Sequence, residues 1–95
     1  MKDFWLRDYM QLVSTLQNKK IPLYAVEAWI RQRPSYGAVI RHDVDRRPRN
    51  AVRMAEAEQV VGVRSTYYFR VVGSSNNPDA MRKVAALGHE VGYHY

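Results

Sequence analysis

The sequence predicts a parallel α/β unit preceded by a helical segment, and three observations lead there. From Gly37 onward, short β-branched and aromatic runs alternate with stretches of helical periodicity. The connections between those runs are short, and strand–helix–strand units joined in this way are parallel with right-handed crossovers. Before Gly37, the apolar residues recur at helical spacing instead.

The elements follow in order. Trp5, Tyr9, Leu12, Val13 and Leu16 form the stripe that an amphipathic helix turns toward a core, with Asp3 placed to cap it. The pattern fades through residues 17–20, where Lys19 and Lys20 suit the negative end of a helix dipole, and Pro22 bars continuation. Val26, Trp29 and Ile30 suggest a second, shorter helix that Pro34 closes. Residues 38–41 read as a buried strand ending at His42-Asp43-Val44-Asp45, and Pro48 stands where a first helical residue belongs. The helix that follows runs through Val52, Ala55 and Val60 and stops at Gly62, a natural residue for positive φ. Residues 65–72 carry the richest strand signal, with Thr66, Tyr67, Tyr68, Phe69, Val71 and Val72. After a loop over residues 73–78, Asn77 caps a helix with Pro78 at its first position. Met81, Val84, Ala85 and Leu87 face inward there and Gly88 terminates it. Residues 90–95 form the last strand. The expected organisation is thus a helical extension over residues 1–36 and a βαβαβ unit over residues 37–95.

Ninety-five residues bound this to one domain. The absence of Cys excludes a Cys-based zinc finger, a thiol nucleophile and a redox motif, and it fits a reducing compartment. No apolar run approaches the roughly 18 residues of a spanning helix. Lys2, Asp3, Arg7 and Asp8 lie where a signal peptide would need its apolar stretch, so a soluble, cytoplasmic chain with no membrane partner is expected. A net charge of +6 invites a nucleic-acid reading. Against it, Asp43 and Asp45 sit inside the cluster of Arg41, Arg46, Arg47, Arg49 and Arg53 and would repel a phosphate backbone at close range. A non-catalytic basic module that grips an anionic sugar, a nucleotide or nucleic acid is the alternative, and a solvated helix face the plainer one.

In parallel α/β architectures the functional groups gather at the carboxyl ends of the strands. Asp43 and Asp45 at the first strand, Ser74 and Ser75 after the second, and His94 at the third should therefore share one rim. Asp43 and Asp45 are two apart and project to one side of an extended segment, His42 to the other. Two adjacent carboxylates persist if a metal or cation shares the site, or if one is protonated. Equally open is a structural role in which one Asp caps the helix at Pro48 and the other pairs with Arg46, Arg47 or Arg49. His89 and His94 are five apart rather than the four that a helical zinc motif requires. In a strand they face opposite sides, which leaves His94 as the ligand candidate.

The strings Arg41-His42-Asp43-Val44-Asp45, Thr66-Tyr67-Tyr68-Phe69 and Leu87-Gly88-His89-Glu90-Val91-Gly92-Tyr93-His94 together resemble the opening half of the polysaccharide deacetylase domain (NodB-type, carbohydrate esterase family 4). The resemblance covers residues 39–95. It implies a distorted (β/α) barrel and metal-dependent removal of acetyl groups from acetylated carbohydrate. It also implies a divalent metal, usually zinc, held by Asp45 and His94, with Asp43 as general base. The family's two acidic residues are adjacent, whereas Val44 separates them here, so the assignment of base and ligand stays open. The family's second metal His would fall beyond Tyr95, and its later motifs are missing. The expectation is a partial domain that binds metal weakly, has no turnover by itself, and self-associates through exposed strand edges.

Overall fold

A computed structural model describes residues 4–45, 47–71 and 73–94, with the side chains of Phe4 and Ser74 left aside. The proposed cap Asp3, the candidate partner Arg46, and the strand residues Val72 and Tyr95 lie outside the described residues. The chain runs α1 (Phe4–Asn18), β1 (Leu23–Tyr24), α2 (Val26–Gln32), β2 (Ala38–Val39), β3 (Arg41–Val44), α3 (Pro48–Val60), β4 (Thr66–Arg70), a 3-10 turn (Gly73–Ser75), α4 (Pro78–Ala86) and β5 (Glu90–His94). It is a mixed α/β fold whose strands pair in parallel, in the order β3-β4-β5, with a second two-stranded pair, β1-β2.

The short strand β1 has no signal in the sequence, because two residues cannot display an alternation and its partners lie fifteen positions away in β2. At Ile40 the chain changes partner. Its N–H donates to Tyr24 O at 2.9 Å, and its carbonyl accepts from Thr66 N–H at 3.1 Å. One extended run therefore reads as two strands, and the segment before Gly37 is hydrogen-bonded into the same sheet system.

Helices α3 and α4 cover one face of β3-β4-β5. Val44, Tyr67 and Phe69 from the sheet meet Ala51 and Ala55 of α3 and Ala80, Met81 and Val84 of α4 in one buried cluster. The alanines let the helix backbones approach closely while the two aromatic rings fill the gap. Helix α3 ends as expected, with Gly62 at φ 77°. The Asn77 side chain caps α4 by accepting from Ala80 N–H at 3.1 Å.

Several expected inward positions turn outward. Leu12 is 55% exposed while its neighbour Val13 is buried, Val60 is 82% exposed, and Ala85 is exposed beside buried Val84. No residue of α2 is buried, and Trp29 and Ile30 are largely exposed. In each case periodicity identifies an apolar stripe wider than the surface available to cover it. Helix α2 is held by its N-terminus rather than by a face. Thr66 Oγ1 accepts from Val26 N–H at 2.8 Å, and Glu90 accepts from Glu27 N–H at 2.8 Å and from Ala28 N–H at 3.1 Å. These bonds satisfy orphan donors that Ala25 at the N-cap position cannot reach.

Candidate functional site

The face of the sheet turned away from α3 and α4 is built in layers set by the register. Arg41, Thr66 and Glu90 are aligned at the amino end. Asp43, Tyr68 and Gly92 follow, and Arg70 and His94 face each other at the carboxyl end, where Asp45 lies just beyond β3. This alternation puts Asp43 and Asp45 on the open face and His42 on the covered one.

At the carboxyl edge, His94 Nε2 lies 3.3 Å from Asp45 Oδ1. The nitrogen is buried and makes no hydrogen bond among the described residues, so the contact has ion-pair distance without hydrogen-bond alignment. Two donors about 2.1 Å from a tetrahedral zinc ion stand about 3.4 Å apart, so the spacing suits a shared metal as well as it suits an ion pair. Arg70, opposite His94 in the register, also carries a buried Nε without a partner. Among the described residues no three His, Asp or Glu groups converge to hold a metal ion. Two donors fit one; a complete coordination sphere needs more, and the positive charge of Arg70 nearby weakens cation binding further.

Asp43 has its hydrogen-bond partner within its own strand. Its Oδ1 accepts from Arg41 Nη2 at 2.7 Å, and this hydrogen bond holds the Asp43 carboxyl below the usual aspartate range. The Arg41 guanidinium also lies 4.4 Å above the Tyr68 ring. Tyr68 in turn occupies the space left by Gly92, where an added Cβ would stand 2.8 Å from Cε1 of the ring.

The structural alternatives raised for the two Asp are not the ones found among the described residues. Neither caps α3: its N-cap position is Arg47, in the left-handed conformation and without a side-chain cap. The partner of Asp43 is Arg41, within its own strand, because side chains two apart share a face. Ser75 is not a rim group. It is buried and its hydroxyl donates to Arg70 O at 3.0 Å, closing the turn after β4. His89 is a core residue, as its opposite facing suggested. Its Nδ1 accepts from Ser65 N–H at 3.2 Å and its Nε2 donates to Ala55 O at 2.8 Å, which fixes a neutral tautomer.

Sequence reasoning missed a second polar constellation on the covered face. Glu58 is completely buried in α3. Its Oε1 accepts from Ser65 Oγ at 2.7 Å and Tyr67 OH at 2.5 Å, and its Oε2 accepts from Tyr9 OH at 2.5 Å and lies 2.9 Å from His42 Nε2. Burial pushes the Glu58 carboxyl up, but the bonds from His42, Tyr67, Tyr9 and Ser65 outweigh it and hold it below its ordinary value. The Tyr9 and Tyr67 hydroxyls are pushed up by burial and by the carboxylate they serve. The signal was present: Ala51, Ala55 and Glu58 fall at i, i+4 and i+7, so the carboxylate sits on the core stripe of its helix.

Comparison with protein-family models, with curated proteins and with solved structures returned no match. No helix among the described residues is long and apolar enough to cross a membrane.

Proposed function

We propose that the chain is part of a metal-dependent carbohydrate deacetylase domain of the polysaccharide deacetylase type, its sheet a sector of a distorted (β/α) barrel. The observation that carries this reading is the 3.3 Å approach of His94 Nε2 to Asp45 Oδ1 at the carboxyl edge of a parallel sheet, with the nitrogen otherwise unpartnered. Asp45 and His94 would hold a divalent ion, zinc foremost, which when bound would supply Lewis-acid activation of an acetyl carbonyl and of water. Asp43, kept ionised by Arg41, is the base that accepts the proton from the attacking water. Tyr68, beneath Arg41, holds that guanidinium in place. With two ligands only, the chain binds metal weakly and does not turn over acetylated sugar. Its setting is cytoplasmic, in keeping with a Cys-free composition, and the open edge of β5 favours pairing with a second copy.

Calorimetric titration of zinc into the purified chain, beside an Asp45→Ala/His94→Ala variant, tests the reading. Both residues lie at the edge of the sheet outside the apolar cluster, so the variant is expected to fold. A saturable heat in the parent that vanishes in the variant supports the site. Equal heats in both overturn it.

A further inference from the structure

We propose that Arg70 is a carboxylate-recognising residue, its guanidinium receiving the carboxylate of a small organic acid at the carboxyl edge of the sheet. For the identity of that acid the proposal rests on the deacetylase reading; the contact itself needs no metal.

Among the described residues, two buried side-chain nitrogens lack a hydrogen-bond partner, Arg70 Nε and His94 Nε2. The register sets these two residues side by side on adjacent parallel strands, on the open face of the sheet. Two orphans scattered over a fold would each be a local imperfection. Side by side at the carboxyl ends of parallel strands, where ligands bind in such sheets, they mark one place that something outside the chain completes. The Asp45 carboxylate, 3.3 Å from His94 Nε2, and the metal proposed there answer to His94 alone. Arg70 Nε is left over, and a guanidinium stays charged, so it cannot escape the cost of burial by losing its proton.

Arg41, on the same face toward the amino end, shows how this sheet satisfies a guanidinium: Asp43 Oδ1 accepts from its Nη2 at 2.7 Å. The corresponding acceptor for Arg70 Nε is absent among the described residues. The strand end that carries Arg70 is nevertheless held in place, since Ser75 Oγ donates to Arg70 O at 3.0 Å and Asn76 Nδ2 to Val71 O at 3.1 Å. Arg70 is half-buried and lies outside the apolar cluster, so its side chain borders solvent rather than the core.

The Nε edge of a guanidinium and a carboxylate make a two-point match. A singly charged carboxylate suits the place better than a phosphate, because Asp45, in contact with the neighbouring His94, repels each further negative charge. Two sources carry such a group in the proposed reaction: an acetylated sugar that is itself acidic, and the acid that hydrolysis releases.

Heteronuclear NMR spectra resolve arginine Nε–H groups, and the Arg70 signal is assigned by its loss in Arg70→Gln. In metal-free buffer the chain is titrated with sodium glucuronate and with sodium acetate, against glucose, sodium chloride and inorganic phosphate. The Arg70 resonance is expected to move saturably with a carboxylate and to stay in place with glucose or chloride. In Arg70→Gln, with the His94 backbone N–H as reporter, affinity should fall at least about tenfold. The thermal midpoint of that variant should hold or rise, because a buried charge without a partner is removed, whereas a structural role for Arg70 would lower it. Asp45→Ala separates this contact from the metal pair: it removes a repelling charge and strengthens carboxylate binding, while it abolishes the saturable zinc heat. A moving Arg70 resonance without any zinc heat leaves Arg70 as proposed and removes the metal site. Tighter binding of glucuronate than of acetate identifies an acidic sugar; acetate binding as tightly or more tightly identifies the released acid. No saturable movement with either carboxylate, equal movement with chloride, tighter binding of phosphate, equal affinity in Arg70→Gln or a lowered midpoint there would overturn the proposal.

Discussion

His42 Nε2 lies 2.9 Å from Glu58 Oε2 on the covered side of β3, while the next residue, Asp43, sends its carboxylate to Arg41 on the open side. One strand thus serves two polar systems separated by the thickness of the sheet. The Glu58 system ties α1, α3, β3 and the start of β4 together through a single carboxylate, and the Asp43 system lies on the open face of the sheet.

The Glu58 carboxylate makes stability depend on acid. Its folded-state pKa is lowered, so its contribution is fully present above the unfolded value of about 4.3 and is lost as pH falls through the lower folded value. Urea midpoints measured from pH 7 down to pH 3 should fall at the acid end. Glu58→Gln should flatten that fall and cost on the order of 2–4 kcal/mol at neutral pH, since a neutral amide cannot serve four donors. A neutral-pH stability equal to the parent's would contradict the account.

Arg41 sets the charge of Asp43. In Arg41→Ala the Asp43 carboxyl loses its hydrogen-bond donor, and its pKa should rise back toward the ordinary aspartate range. Carboxyl carbon chemical shifts followed through a pH titration report this directly. The thermal midpoint should move little, because both side chains are about half exposed. An unchanged Asp43 titration would remove Arg41 from its positioning role.

Gly92 is required by Tyr68. A Cβ at position 92 would stand 2.8 and 2.9 Å from Cε1 and Cδ1 of the ring, so Gly92→Ala must displace the ring and the guanidinium stacked on it. A loss of about 1–3 kcal/mol is expected from such overpacking. Tyr68→Ala should abolish most of the added cost, and a double-mutant cycle of urea midpoints measures that coupling. Additive effects would show that the two positions do not collide.

Much of the architecture was legible because local chemistry announces it. Asn77-Pro78 opened α4, Pro48 and Gly62 bracketed α3, and the aromatic run around Tyr67 became the central strand. The reading faltered where an element is defined by a distant partner. Leu23 and Tyr24 are a strand only because Ala38 and Val39 lie beside them, and α2 is held by Glu90, 62 to 63 residues further on.

The candidate site divides along the same line. Period-two alternation by itself put Asp43 and Asp45 on one face, His42 on the other, and His94 apart from His89, since side-chain direction in a strand is a property of the backbone. Tertiary structure decided that His94 meets Asp45, that Asp43 is held by Arg41, and that Glu58 gathers four donors. Those outcomes depend on which strands lie side by side and which helix face covers them, and distances across a sheet are set by burial of the whole core, not by spacing along the chain.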